Sequence, residues 1–262
     1  MNWALRRKLL YTLFFLVVII LILYQIFGAV FHQAPTCTDG KKNGDESGID
    51  CGGSCSLLCQ NETAPLSVLW YRALPYAPHI FDAVAVIHNE NLNGVARKVK
   101  YTFRLYDTRD LLIGERTGYT FVPPRTTFAI YEPNFDAGSL NVKRTDFYLG
   151  NDSEDTNPVV WEKISDKNIT NKTRVTETIF DSLESTPRLK AHIVNDNGRT
   201  ISHIKLIAIA YDSNGNAIGA SSSVIDSLTD KEETDIVFTW RNPFPQTPVK
   251  SDVFIMINPF DK

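Results

Sequence analysis

Four cysteines are the residues of this 262-residue chain whose type and spacing suggest the most definite chemistry. They all lie in one polar, glycine-rich stretch, CTDGKKNGDESGIDCGGSCSLLC, as Cys37, Cys51, Cys55 and Cys59. Cysteines outside the cytoplasm commonly form disulfides, and cross-links stabilise a short segment that has no core of its own. We therefore predict two disulfides in this stretch, for which three pairings are possible.

Two metal-binding alternatives exist for the same stretch. The C-x3-C-x3-C spacing of the last three cysteines is compatible with zinc, although structural zinc sites usually pair C-x2–4-C knuckles across a longer spacer. Residues 39–50 partly follow the calcium-loop template, with Asn43 and Asp50 in register, but Lys41 occupies a position that should donate an oxygen. We predict disulfides in preference to both, and no metal or cofactor.

Catalytic motifs are missing from the rest of the sequence. The five histidines form neither an H-E-x-x-H motif nor another paired-ligand spacing, and no G-x-S-x-G elbow or phosphate-binding glycine loop occurs. The carboxylates lie mostly in turns, so a hydrolase with paired carboxylates remains only as an alternative. We predict that the protein is not an enzyme. With a formal net charge of -3 and no basic patch, it is also not expected to bind nucleic acid.

An apolar run, LLYTLFFLVVIILILYQIF, extends from Leu9 to Phe27 without a charged residue. About 20 apolar residues suffice to cross a membrane as a helix, whereas a cleaved signal peptide has an apolar core of about 7–15 residues. Arg6, Arg7 and Lys8 precede the run, and positive residues favour the cytoplasmic side. We predict a single-pass signal anchor in the plasma membrane, with a cytoplasmic N-terminus and most of the chain outside.

Beyond residue 65 the sequence has the period-two pattern of β-strands. In VKYTFRLYD, residues 99–107, apolar and polar side chains alternate, as expected for a strand with one face on a core. The segment recurs at residues 204–212 as IKLIAIAYD. The matched positions of the two copies are Asn89 and Asn195, Tyr106-Asp107 and Tyr211-Asp212, and Gly114 and Gly219. These matches predict a tandem duplication.

The matched aspartates and glycines have structural interpretations. The aspartate can accept hydrogen bonds from turn amides two residues further on, and the glycine allows a bulge or a close backbone approach. Asn214-Gly215 predicts a tight turn in the second copy, whereas Arg109-Asp110 predicts a looser turn in the first.

The repeated motif resembles the FxLYD-type immunoglobulin-like domain. FRLYDTRDLLIG fits that pattern literally, while IAIAYDSNGNAIG has Ala208 and Ala210 in place of Phe and Leu. The neck, CTDGKKNGDESGIDCGGSC, resembles a short cysteine motif of bacterial and archaeal surface proteins. The chain as a whole resembles single-pass bacterial envelope proteins with tandem domains of this type. The resemblance implies a fold and a location, but no reaction or ligand.

The predicted fold is all-β, with an N-terminal transmembrane helix followed by two tandem immunoglobulin-like β-sandwiches. The predicted segments are a cytoplasmic tail at 1–8, a transmembrane anchor at 9–31, a neck at 32–64, the first sandwich at 65–149, a polar linker at 150–157 and the second sandwich at 158–262.

One predicted face suggests an interaction. The outer face of the repeated strand is Lys100, Thr102 and Arg104 in the first copy, but Lys205, Ile207 and Ile209 in the second. Two isoleucines on a nominally exposed face require a cover, which is the neighbouring domain, a partner, or a loop from residues 165–178.

We therefore expect a binding or scaffolding protein whose partner is another envelope protein. The alternative is a surface adhesin or carbohydrate binder that uses exposed aromatic residues, for which the weak candidates are Trp70, Tyr71, Tyr76 and Trp161.

Overall fold

A computed structural model describes residues 3–31, 36–150, 159–164 and 172–260. The chain divides into two compact units, Met1–Ser54 and Cys55–Lys262. In the first unit, helix α1 spans Trp3–Phe31, and its Arg6–Phe27 segment is long and apolar enough to be a candidate membrane span. The expected linker at 150–157 lies outside the described residues except for Gly150.

The second unit is all-β apart from a short 3-10 helix, Gln60–Glu62. Its described strands are β1 (Ser67–Ala77), β2 (Ile80–Asn89), β3 (Gly94–Tyr106), β4 (Leu112–Val122), β5 (Thr126–Asp136), β6 (Arg144–Leu149), β7 (Glu162–Lys163), β8 (Thr173–Asp181), β9 (Arg188–Asn195), β10 (Ile201–Tyr211), β11 (Ala217–Leu228), β12 (Glu233–Thr239) and β13 (Lys250–Met256). Every described pairing between strands is antiparallel.

The strands form two sandwiches with the same strand order. Sheet 1A has the order β1-β2-β5 and sheet 1B the order β4-β3-β6, with β7 pairing to β3 as well. Sheet 2A has the order β8-β9-β12 and sheet 2B the order β11-β10-β13. The fold is therefore all-β with an N-terminal apolar helix, as the sequence predicts.

Alternating side chains build the core of each sandwich. In the first, Ala85 and Ile87 of sheet 1A pack against Phe103 and Leu105 of sheet 1B. The second core likewise joins the inner faces of sheets 2A and 2B. Inward-facing apolar residues at every second position are what a two-sheet sandwich requires.

Residues 159–164 pack with the first sandwich. The sequence instead predicts that they form the beginning of the second sandwich, which was expected at 158–262. Strand β7 pairs with the beginning of β3, and Trp161 is buried in the first core. The Leu58 amide donates to the Trp161 carbonyl at 3.0 Å, and the Lys163 amide donates to the Ser56 carbonyl at 2.7 Å. Trp161 is therefore not an exposed ligand-binding aromatic residue. A two-residue strand leaves no periodic signal from which this pairing could be read.

Candidate functional site

The apolar outer face of sheet 2B is covered by the first sandwich. Ile207 and Ile209 are 1% and 0% exposed, and they lie in one buried cluster with Val84, Val86 and Tyr131 of sheet 1A. Among the covers considered from the sequence, the structure therefore shows the neighbouring domain. We call the contact between the outer faces of sheets 1A and 2B the interdomain layer.

Polar contacts surround the interdomain layer. The Arg72 guanidinium donates to the Ala217 carbonyl at 3.2 Å, and the side-chain amide of Asn242 donates to the Tyr76 carbonyl at 3.0 Å. Each bond joins the first sandwich to the second. Apolar burial together with directional bonds favours a defined docking geometry over a flexible pair of domains.

The matched asparagines make equivalent hydrogen-bond networks. Asn89 Nδ2 donates to the carbonyls of Gly94 and Pro123 at 3.0 and 2.7 Å, and its Oδ1 accepts from the Asn91 amide at 3.0 Å. Both Asn89 and Asn195 are completely buried.

Asn195 repeats this pattern in the second sandwich. Its Nδ2 donates to the carbonyls of Arg199, Leu228 and Thr229, each at 2.9 Å, and its Oδ1 accepts from the Asn197 amide at 3.0 Å. The matched asparagines therefore hold a loop after the strand to the end of another strand, which is a structural role.

The matched aspartates organise the turns after β3 and β10. Asp107 Oδ1 accepts from the amides of Arg109 and Leu111 at 2.8 and 2.9 Å. The hydrogen bond from the Leu111 amide is the main reason why the pKa of Asp107 is lowered.

Asp212 has the same arrangement, with amides of Asn214 and Asn216 at 2.9 and 2.8 Å. Burial opposes its ionisation, but these hydrogen bonds outweigh burial and lower the pKa of Asp212. Both carboxylates therefore stabilise the turns that follow their strands.

The prediction that the first turn is looser than the second is wrong. Asp110 N donates to the Asp107 carbonyl at 3.1 Å, as Gly215 N does to the Asp212 carbonyl at 3.1 Å. Asp110 and Gly215 occupy the corresponding position with φ of 58° and 79°. Aspartate tolerates this left-handed conformation better than most residues, so it replaces glycine here.

The matched glycines each lie beside a bulge but have different surroundings. The register shifts between Leu105 and Tyr106 opposite Gly114, and between Ala210 and Tyr211 opposite Gly219. A Cβ at Gly114 would meet its nearest neighbour at 3.8 Å, whereas one at Gly219 would lie 2.5 Å from the Phe244 ring and 2.9 Å from the Trp240 indole nitrogen.

The matched tyrosines each face a cation, but only one of them also contacts the other sandwich. The Arg144 guanidinium lies 3.9 Å from the centre of the Tyr106 ring. Tyr211 has a similar but longer contact, with Lys250 Nζ 5.4 Å from its ring centre, and it also packs against the interdomain layer, with its ring 6.3 Å from that of Trp70 in an edge-to-face arrangement. Only the second tyrosine therefore contributes to contact between the sandwiches.

All four neck cysteines are disulfide-bonded, which leaves no free thiolate for zinc among the described residues. In the segment that partly follows the calcium-loop template, Asp50 accepts from the backbone amides of Asp39 and Gly40, both at 2.9 Å. The Asp39 carboxylate in turn accepts from the Asn43 side chain at 2.8 Å. These carboxylates therefore close the neck loop through hydrogen bonds to its own donors.

One carboxylate is buried next to the interdomain layer. Asp82 is 2% exposed and accepts from the Tyr131 hydroxyl at 2.8 Å and from the Asn134 amide at 2.9 Å. Burial raises the pKa of Asp82, and burial together with the neighbouring Asp82 raises the pKa of Tyr131. The pair is satisfied internally and presents no exposed reactive group.

A charged cluster occupies the outer face of sheet 2A. His192 Nδ1 lies 2.8 Å from Asp235, its Nε2 lies 3.2 Å from Glu233, and Lys190 lies 2.7 Å from Asp235. Asp235 and then Glu233 raise the pKa of His192. This sheet face is therefore polar, unlike its counterpart in the first sandwich.

Several residues of the interdomain layer were not identified from the sequence. Strand β2 reads IFDAVAVIHN, and its outward residues Val84 and Val86 are as apolar as its inward alanines. A strand with apolar residues in both phases is typically buried on both faces. That signal was present in the sequence and would have identified the surface that covers Ile207 and Ile209.

No protein-family model matches the chain, and no curated protein matches it. Among solved structures, the chain is similar to a red sea bream transglutaminase, with 9% identity, 74% of this chain and 31% of that chain covered, and a TM-score of 0.24. It is also similar to a β-glucuronidase from glycoside hydrolase family 2, with 12% identity, coverage of 62% and 20%, and a TM-score of 0.20.

A third similar structure is a putative β-galactosidase from Bacteroides fragilis, with 12% identity, coverage of 69% and 33%, and a TM-score of 0.20. The chain thus spans a third or less of the length of each of these proteins. At these scores the similarities identify neither a fold nor an activity for the chain.

Proposed function

We propose that this protein is a membrane-anchored, extracytoplasmic binding or scaffolding protein of the bacterial cell envelope, without enzymatic activity. The observation that carries the proposal is the candidate membrane span followed by a neck whose four cysteines are all disulfide-bonded. Disulfides persist outside the cytoplasm, and the basic residues Arg6, Arg7 and Lys8 favour an internal N-terminus.

The sandwiches support a binding role. The interdomain layer joins them into one body, and such β-sandwiches commonly bind through loops and sheet faces. The matched carboxylates and asparagines are engaged in structural hydrogen bonds. The two sandwiches also share their strand order, which supports origin by tandem duplication of an FxLYD-type domain.

Protease treatment of intact cells tests the extracytoplasmic location of the residues that follow the anchor. Added protease should degrade residues beyond the anchor and leave a short N-terminal fragment, while lysed cells should lose that fragment's cytoplasmic end as well. Full protection of the chain in intact cells, with digestion after lysis, would refute an extracytoplasmic location. Intact-mass measurement after alkylation should show four modified cysteines only when the protein is first reduced.

Crosslinking in intact cells tests the scaffolding role. We expect one envelope protein to be recovered reproducibly with the full-length chain. Recovery of the chain alone, at a crosslinking efficiency verified on a known envelope complex, would contradict a protein partner.

A further inference from the structure

An open cleft of about 600 Å³ lies at one margin of the interdomain layer. Leu69 and Trp70 of β1 contribute to one wall, and residues Val175–Thr178 of β8 contribute to the other. Tyr211 and Phe254 of sheet 2B also line it. The cleft exists only because the sandwiches dock, and its volume is in the range of small-ligand sites.

Both edge strands that line the cleft are interrupted by a bulge there. On β1 the pairing with β2 skips Leu69, and on β8 the pairing with β9 skips Thr176. Bulges redirect side chains and disrupt the regular ladder that a peptide would need to add as another strand. The geometry therefore favours recognition by side chains over strand addition.

The side chains of the cleft combine aromatic surfaces with oxygen atoms. Trp70, Tyr211 and Phe254 are partly buried, which holds their rings while leaving surface to contact a ligand. No acceptor for the Trp70 indole N–H is found among the described residues, and none of those residues donates a hydrogen bond to the Glu177 carboxylate. These groups can bind hydroxyl groups that lie beside an apolar C–H surface.

The charges of the cleft argue against an anionic ligand. Glu177 and Asp252 line it, and no described lining residue is Lys or Arg. The nearby Lys250 pairs with Asp252 at 3.0 Å, and Lys190, which also interacts electrostatically with Glu177, pairs with Asp235 of the adjacent strand β12 at 2.7 Å. An anionic ligand would therefore approach two carboxylates without a free cation to compensate.

We propose that this cleft binds a neutral oligosaccharide, with the sugar's C–H face against Trp70 and its hydroxyls on Glu177 and neighbouring threonines. The proposal rests on the extracytoplasmic binding role above, since that role places the cleft where glycans occur. It names a ligand class and a site for that role. Trp70 provides the aromatic surface, and Glu177 provides the acceptor.

Saturation-transfer NMR on the full chain in lipid nanodiscs tests this proposal. The probes are chitotetraose, maltotetraose and cellotetraose, with sialyllactose as an anionic sugar and a hexaproline peptide as an alternative occupant. We expect at least one neutral tetrasaccharide to bind and sialyllactose not to bind. Trp70→Ala should weaken binding about tenfold, and Glu177→Gln about fivefold.

Matched controls separate the cleft from the rest of the surface. Tyr119→Ala removes an aromatic residue that is 59% exposed and lies outside the cleft, and Glu184→Gln neutralises an exposed carboxylate elsewhere. Both should retain full binding. Because Trp70 also packs on Tyr211, Glu177→Gln is the variant whose folding is least at risk.

Several outcomes would overturn the proposal. These are no binding of any neutral tetrasaccharide, unchanged binding in both cleft variants, or binding of hexaproline alone. Because purified protein is used, these outcomes do not depend on membrane topology, which the protease experiment measures separately. Trp70-dependent hydrolysis of a bound tetrasaccharide would support the site but contradict the non-enzymatic part of the proposed function.

Discussion

The two sandwiches have the same strand order, but their corresponding outer faces differ in polarity. On β2 the outward residues Val84 and Val86 are apolar, whereas the corresponding residues of β9 are Lys190 and His192. The apolar face is buried in the interdomain layer, and the polar face carries the charged cluster of sheet 2A.

The other sheet of each sandwich shows the reverse. On β3 the outward residues are Thr102 and Arg104, and on β10 the corresponding residues are Ile207 and Ile209. Each sandwich therefore has one apolar outer face, and these two faces meet. The docking of the domains is therefore encoded by the outward-facing residues of β2 and β10, while the inward-facing residues of each strand build the core of its own sandwich.

The largest effect is expected from placing a charge in the interdomain layer. Ile207→Lys should lower the free energy of unfolding by about 4 kcal/mol or more, because the ammonium group would be buried without a partner. Denaturant unfolding of the full chain, followed by tryptophan fluorescence, measures this loss. Val224→Lys is the control, because Val224 lies on the adjacent strand of the same sheet and is 59% exposed. An equal loss in both variants would contradict a covered face at Ile207.

The matched asparagines should show where the sandwiches are equivalent. Asn89→Ala and Asn195→Ala should each lower the free energy of unfolding by about 2–3 kcal/mol, because buried carbonyls lose their donors. Asn141→Ala, at an exposed position, should change it by less than about 0.5 kcal/mol. Differential scanning calorimetry of the three variants measures these changes. A large loss at only one asparagine would show that the two hydrogen-bond networks contribute unequally to the free energy of unfolding.

The sequence was sufficient for the parts of the fold that repeat. Alternation in VKYTFRLYD predicts β3, and the apolar outward phase at Ile207 and Ile209 indicates a covered face. The central part of β2 carries equal information, because both phases of AVAVI, residues 83–87, are apolar. These features are local, so they can be read from residue order.

Other features depend on contacts between distant segments. Strand β7 is too short to show a period, and Trp161 enters the first core through pairing with β3. The candidate cleft could not be predicted either, since Trp70 and Glu177 become neighbours only when the sandwiches dock. The prediction for the turn at Asp110 was wrong because aspartate adopts the left-handed conformation that glycine adopts in the second copy, and the Asp107 carboxylate accepts backbone amides of the turn just as Asp212 does.

The matched glycines should separate the two copies. Gly219→Ala should lower the free energy of unfolding by about 1–3 kcal/mol, because the new methyl group would overlap the Phe244 ring. Gly114→Ala should change it by less than about 0.5 kcal/mol, since its nearest neighbour would be at 3.8 Å. Denaturant unfolding of both variants gives the comparison directly. Similar losses at the two positions would mean that the bulge itself, rather than the aromatic neighbours, excludes a side chain.

The smallest effect is expected on the polar face of sheet 2A. The pKa of His192 is raised in the folded chain by Asp235 and Glu233, so its protonated form is favoured by folding. Its contribution to stability should be fully present below the unfolded pKa of about 6.5 and should be lost as pH rises through the higher folded value. Screening by solvent keeps this contribution small, because the cluster is exposed.

Thermal unfolding between about pH 5 and pH 9 measures this contribution. The melting temperature of the native chain should fall with rising pH relative to that of His192→Gln, which keeps a polar side chain but cannot titrate. Val86, at the corresponding position of the first sandwich, has no ionisable group, so the difference should come from sheet 2A alone. Parallel pH profiles for the native chain and His192→Gln would show that the polar face adds nothing to stability. The contrast between the two outer faces would then reside in the apolar interdomain layer only.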